Sequence, residues 1–243
     1  MTWSIVARHD GGAAFGVAIA TRFFAVGALC PYARSGVGAL ATQALVNPTY
    51  GRRGLDLLDQ DIAPAEVVKS LTGPDDGRDH RQVHMVDRRG RIGAFTGSAC
   101  IDWCGHVVRE DFSVAGNMLA GPRVVEDTAA AYAAAHDRPF AERLLQALEA
   151  GQAAGGDKRG KQAAALLVYT SEDYPALDLR VDDHDEPLAE LRRLYDKSFE
   201  RFQPFLPFLP SRGRPAGVYD RAVIDAGIAE FHAARGAAAG KDV

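Results

Sequence analysis

Thr2-Trp3-Ser4-Ile5-Val6-Ala7-Arg8 and Ala14-Phe15-Gly16-Val17-Ala18-Ile19-Ala20 are the two stretches from which the fold is read. In the first, Ser4 and Val6 fall on one face of an extended chain and Trp3, Ile5 and Ala7 on the other, the period-2 pattern of a strand. The second is an apolar, partly β-branched run, too short for a helix and suited to a buried strand. His9-Asp10-Gly11-Gly12 between them is a turn signal, so the pair is expected as a β-hairpin.

Working outward, a third strand is expected over Val37–Gln43, with Gly27, Gly36 and Gly38 marking bends or close backbone approach. Helices follow over Tyr50–Asp59, with Leu55 and Leu58 inward, and after Pro64, with Val67, Val68 and Leu71 as the apolar stripe. Arg81–Thr96 returns to strand character around a turn at Arg89-Gly90, and Val107–Val114 reads as one further strand. The Ala- and Leu-rich residues from Arg123 to Ala153 predict two helices parted near Asp137-Arg138-Pro139. Ala163–Val168 and Leu177–Val181 are strands, and Pro187–Phe202 is an amphipathic helix. Prolines at 204, 207, 210 and 215 divide an expected domain 1–203 from a C-terminal appendage, 204–243, that carries a short helix with Val223, Ile224, Ile228 and Phe231. Strands, helices, strands and helix in that order describe an α+β fold with antiparallel sheets.

Composition narrows the function classes. The chain has 243 residues, 47% of them apolar and 25% charged, enough to fold around its own core without a metal or disulfide staple. Twenty-eight Lys and Arg against 32 Asp and Glu leave a formal charge of −4, which argues against a nucleic-acid partner. The longest uncharged apolar stretch near the start, Phe23–Ala33, has 11 residues and contains Pro31, far short of the roughly 20 apolar residues of a membrane span. The N-terminus lacks a secretory pattern. Three cysteines imply no disulfide framework, and a reducing, cytoplasmic setting is expected.

General catalytic motifs are absent: there is no GxGxxG, P-loop, HExxH or GxSxG. Cys100, Cys104 and His106 lack the spacing and the second ligand pair of a zinc site. Asp182-Asp183-His184-Asp185 reads either as a cation site or as a solvated run ahead of a helix. Thr2 is the residue of chemical interest. If Met1 is removed, the α-amine of Thr2, with a reference pKa of about 7.7–8.0, lies beside its own hydroxyl and can take its proton, so base and nucleophile share one residue. Ser4 lies on the same strand face but has no such amine.

Several blocks resemble a known family. Thr2-Trp3-Ser4-Ile5-Val6-Ala7-Arg8, Phe23-Phe24-Ala25-Val26-Gly27-Ala28, Ala41-Thr42-Gln43-Ala44-Leu45-Val46-Asn47-Pro48-Thr49-Tyr50-Gly51, Gly116-Asn117-Met118-Leu119, Gly155-Gly156-Asp157-Lys158-Arg159-Gly160-Lys161-Gln162 and Leu179-Arg180-Val181-Asp182-Asp183-His184 look like the bacterial family called domain of unknown function 1028. They run from residue 2 to about 195. The resemblance implies the N-terminal-nucleophile (Ntn) hydrolase superfamily and its four-layer αββα sandwich, two antiparallel sheets between helical layers.

The resemblance also implies roles. Thr2 would be the nucleophile. Arg22 would lower the pKa of the amine or hold a substrate carboxylate, or else be a surface charge. Asn117 or a neighbouring N–H would stabilise an oxyanion, or else the segment is a turn before Pro122. Asn47 and Tyr50 would line a cleft or end a helix. Asp157 with Arg159 would orient substrate or form a loop ion pair, with Gln162 a further polar ligand; Lys158 and Lys161 would face solvent, and His106 and His184 are spare acid–base groups. The expected activity is hydrolysis of a small amide or peptide-like metabolite, without cofactor, by a homo-oligomer, most simply a dimer. The alternatives are a non-catalytic binding or assembly protein on the same fold and a metal-dependent hydrolase built on Asp182, Asp183 and His184.

Overall fold

The computed structural model describes residues 2–9, 12 and 14–239; Met1 and the Asp10-Gly11 of the expected turn lie outside them. The chain opens with β1 (Thr2–Arg8), β2 (Phe15–Thr21), β3 (Pro31–Arg34) and β4 (Gly38–Ala44), then α1 (Thr49–Asp59) and α2 (Pro64–Thr72). β5 (Arg81–Asp87), β6 (Ile92–Thr96), β7 (Gly105–Arg109) and β8 (Phe112–Asn117) precede α3 (Arg123–Ala134) and α4 (Phe140–Ala153). β9 (Ala163–Tyr169), β10 (Leu177–Val181), α5 (Pro187–Ser198), α6 (Phe202–Phe205) and α7 (Arg221–Ala239) complete it.

The strands form two antiparallel sheets, one ordered β10-β9-β2-β1-β8-β7 and the other β3-β4-β5-β6, giving the α+β class expected. The opening hairpin forms in the register Thr2↔Thr21 to Arg8↔Phe15. β1 is central, and its alternation does two jobs. Trp3 and Ile5 face the helical side, where Gly151 of α4 admits the Trp3 indole. Val6 packs with Phe15, Val17, Ala39, Ala41 and Val86 between the sheets. Helices α3 and α4 lie on the six-stranded sheet, α1 and α2 on the four-stranded one, and β1 and β8 meet β4 and β5 face to face. Leu55, Leu58, Val67 and Leu71 fill the α1–α2 layer against Leu40, Val83 and Met85, burial that is worth about 1.5–3 kcal/mol for each large side chain.

Two local readings change. The strand expected over residues 107–114 is two strands, because Asp111 takes a left-handed conformation at φ 65, which Asp tolerates well, and turns the chain. Arg8 Nε clamps that turn through the Asp111 carboxylate at 2.8 Å. The sequence reading also omits β3, where Pro31 costs no ladder bond as the first residue of an edge strand.

By contacts the chain divides into residues 1–192 and 193–243. Within the second unit the Arg235 guanidinium sits 3.7 Å over Phe199, whose ring stacks on Phe231, and Arg201 pairs with Asp225. The expected short C-terminal helix is the 19-residue α7. Among the described residues no helix is long and apolar enough to cross a membrane.

α2 sits on β6 through Gly93. A Cβ there would stand 2.4 Å from the Pro64 carbonyl oxygen, a backbone atom that cannot swing aside. Gly93→Ala is therefore expected to cost about 1–3 kcal/mol, read as a lower urea midpoint with an unchanged slope; an unchanged midpoint would contradict this packing.

Candidate functional site

The site begins with strand register. Thr2 pairs with Thr21 on β2 and with Asn117 on β8, so three polar residues form one row across the end of the six-stranded sheet. Residues directly opposite on neighbouring strands share a face. Thr2 Oγ1 lies 3.0 Å from Thr21 Oγ1, and Asn117 Nδ2 lies 3.5 Å from the Thr2 carbonyl oxygen. All three side chains are buried.

Behind the row, a chain of hydrogen bonds crosses between the sheets. Gln82 Nε2 donates to the carbonyl oxygens of Gly116 (2.9 Å) and Gly105 (3.1 Å) and to Thr96 Oγ1. Carbonyls only accept, so the Gln82 amide is oriented and its Oε1 must face Gln43 Nε2 (2.8 Å) and Asn117 Nδ2 (3.1 Å). Gln43 Nε2 also donates to Ala115 O, leaving Gln43 Oε1 to accept from Ser4 Oγ at 2.6 Å. With its one proton spent, Ser4 can only accept from His84 Nε2 at 2.8 Å, so His84 carries its proton on Nε2 and its Nδ1 accepts from Ser113 Oγ. Burial, with the nearby His106 adding to it, pulls the His84 pKa down to about 3, which keeps the ring neutral.

Thr2 and Asn117 of this row border a cavity of about 370 Å³, within the size range of small-molecule sites. Thr2, Gln43 and Asn117 supply its polar corner; Val26, Cys30, Leu45, Val46, Ile101 and Met118 are among its apolar walls, and Arg159 and His80 also border it. Ala44 and Met118, both in the lining, hold left-handed φ values of 70 and 53, a conformation that costs a non-glycine residue about 1–2 kcal/mol. Local bonds hold them: Met118 N donates to Ile101 O, and Leu45 N, just after Ala44, donates to His80 O.

Of the residues singled out from sequence, Thr2, Asn117, Arg159 and Cys100 border this cavity. Arg22 does not. Thr21 turns inward, so the next side chain on an extended strand turns away, and the Arg22 guanidinium donates to Arg159 O beside a second cleft that also takes Gln162 and His184. Asp157 is buried and organises the loop: it accepts from Arg22 N and Arg159 N at 2.8 Å each and pairs with the Arg159 guanidinium at 3.2 Å. Asn47 and Tyr50 converge on Asp75, at 3.1 and 2.6 Å, together with Arg81 at 3.1 Å. The Tyr50 hydroxyl, with Arg81 and Asn47, holds the Asp75 carboxyl below its usual range despite partial burial, while burial and Asp75 raise Tyr50. These two residues anchor the segment that carries Leu45 and Val46 rather than lining the cavity themselves.

The other candidates have protein partners. Asp182 pairs with Arg180, Asp183 accepts from Gln162, and His184 Nδ1 accepts from Glu186 N. His106 bonds Thr96, and Lys161 pairs with Glu186. Among the described residues no three His, Cys, Asp or Glu side chains gather as a metal ligand set. Burial raises the Cys30 thiol to about 12 and, with Asp102 assisting, Cys104 to about 11; burial also raises Cys100, so the thiolate that attacks carbonyls is scarce at neutral pH.

Thr21, Gln43, Gln82 and His84 were missed by the sequence reading. A signal was present: in Gln82-Val83-His84-Met85 the two polar residues occupy alternate positions in a strand whose other face, Val83 and Met85, meets the helices. Polar residues on the inward face of a buried strand mark an inter-sheet network or a site.

The family model described as "Family of unknown function (DUF1028)" matches residues 2–191. The crystal structure of protein SPO2555 from Silicibacter pomeroyi, assigned to the same family, is 32% identical with a TM-score of 0.84, over 90% of this chain and 96% of that one. Anbu (ancestral beta-subunit) from Yersinia bercovieri is a distant similarity, 12% identical with a TM-score of 0.40, over 81% of this chain and 94% of that one. No curated protein matches.

Two predictions follow from the inter-sheet chain. Gln82→Leu strands the amides of Gln43 and Asn117 and is expected to cost about 3 kcal/mol in chemical denaturation; a loss below about 1 kcal/mol would mean that the chain contributes little. For His84, the unfolded ring binds a proton below about pH 6.5, whereas the folded ring binds it only near 3. Stability is therefore full above the first value and falls as pH drops through this window, by up to about 1.4 kcal/mol per pH unit. His84→Gln should flatten that slope; an unchanged slope would contradict a neutral buried His84.

Proposed function

This chain belongs to the DUF1028 family, and from that premise we propose that it is an amidohydrolase on an N-terminal-nucleophile fold, with Thr2 as nucleophile once Met1 is removed. The packing of α3–α4 and α1–α2 on the outer faces of the two sheets is read as the αββα sandwich of that superfamily. The observation that carries the reading is the row itself: a threonine at the head of the central strand, its hydroxyl 3.0 Å from a second threonine hydroxyl, at the polar corner of a 370 Å³ cavity.

In this mechanism the neutral α-amine of Thr2 takes the Oγ1 proton, and Oγ1 attacks the amide carbonyl carbon. The carbonyl π electrons pass to the oxygen. Asn117 Nδ2 supports that oxyanion by giving up its long 3.5 Å contact with Thr2 O while keeping its bond to Gln82. The C–N bond breaks, the amine half leaves with the proton, and an ester on Thr2 remains. Water, deprotonated by the same amine, cleaves the ester and restores the hydroxyl. Thr21 orients Oγ1. Arg22 and Asp157 act at a distance, holding the loop that places Arg159 at the cavity.

Intact-mass measurement of the purified chain is expected to show Met1 absent. In an amide-library assay, Thr2→Ala should fold and lose at least about 10³-fold in kcat/KM, Thr2→Ser should retain part of it, and Thr21→Val should lose about 10²-fold. A folded Thr2→Ala protein with wild-type turnover would overturn the mechanism. A retained Met1 on an otherwise amide-binding protein would favour the non-catalytic binding alternative.

A further inference from the structure

The lining of the Thr2 cavity also speaks to what it takes. Away from the polar corner its walls include Phe23, Val26, Leu45, Val46, Ile101 and Met118. Phe23, Leu45 and Ile101 remain 53%, 63% and 56% exposed, so this apolar surface continues to the cavity mouth. Large side chains left open to water around a concave site bury apolar surface when a ligand enters. Among the described residues lining the cavity there is no carboxylate, and the permanently charged side chain is the Arg159 guanidinium, fixed through Asp157. An ammonium group would meet no counter-charge there, while a carboxylate would meet a planar donor suited to it.

We infer that the cavity takes N-acyl amino acids: amides whose acyl half is an apolar chain or ring and whose amine half carries a carboxylate. This rests on the reading of Thr2 as the nucleophile only for the statement that such compounds are hydrolysed; the binding preference stands on the lining alone. Hydrolysis would consume water and release one apolar carboxylic acid and one amino acid. This narrows the small amide or peptide-like metabolite expected from the sequence to one with an apolar acyl half.

Binding is tested apart from turnover by calorimetry on the full-length Thr2→Ala chain with N-acetylglycine, N-butanoylglycine, N-hexanoylglycine and the cationic N-hexanoylethylenediamine. Each buried methylene should tighten binding about four-fold, from roughly 0.8 kcal/mol per CH₂, so hexanoyl, with four more methylenes, should exceed acetyl by about 250-fold. N-hexanoylglycine should bind at least about tenfold tighter than N-hexanoylethylenediamine, and Arg159→Gln should erase that preference. Ile101→Ser in the otherwise wild-type chain should weaken hexanoyl binding while leaving acetyl unchanged, a check that does not depend on Thr2→Ala. Affinity that is flat with chain length, or tighter for the cationic amide, overturns the inference, even if Thr2 proves to hydrolyse some other amide. Graded binding with no turnover by the wild-type chain supports the inference and overturns the hydrolase reading instead.

Discussion

The hydrogen-bond chain from Gly116 O through Gln82, Gln43, Ser4 and His84 to Ser113 joins the two sheets. Val6, Phe15, Val17, Ala39, Ala41 and Val86 form an apolar cluster between the same sheets. Its direction is set by carbonyl groups that can only accept, so each amide and the His84 tautomer follow from the previous partner. A buried network with every member satisfied rigidifies what it touches, and one left half-satisfied is costly. Here it touches Asn117, and through β1 and β8 it fixes the row in which Thr2 stands. The candidate chemistry thus depends on a structural device placed one layer below it.

That dependence explains which parts were legible in the sequence. The alternation of Trp3–Ala7 and the apolar run after Ala14 gave the central hairpin, and the stripes at Leu55, Leu58, Val67 and Leu71 gave the first helical layer, because those patterns are local consequences of burying one face. Thr2 was a candidate from the sequence because the chemistry proposed for it is contained within one residue. Thr21 could not, since its importance comes from lying opposite Thr2 in a register that only the assembled sheet defines. Gln82 and His84 left a trace in their alternation, but their partners come from five other strands. Arg22 illustrates the converse: its charge just after β2 suggested a role at the site, but it does not border the cavity, and its guanidinium donates to Arg159 O beside a second cleft.

The supporting loops show how a polar site is held without spending its own donors. Asp157 ties together Arg22 and Arg159 through their backbone N–H groups, and Asp75 gathers Asn47, Tyr50 and Arg81 below the segment that supplies Leu45 and Val46. Both carboxylates act on backbone placement. The left-handed Ala44 and Met118 at the cavity are the positions where that placement is most demanding. An apolar chamber with a hydroxyl row at one end results, and the same feature carries both the proposed reaction and the inferred class of substrate.

The most direct measurement is peptide mass mapping of the wild-type chain after brief exposure to p-nitrophenyl hexanoate, an activated ester that acylates a poised nucleophile. The account predicts a single hexanoyl group on the peptide that begins with Thr2, located on its side-chain oxygen and lost on standing in water. Acylation spread over surface lysines, a stable label on Cys100 or Cys104, or none on Thr2 while the cavity binds hexanoyl amides, would contradict it.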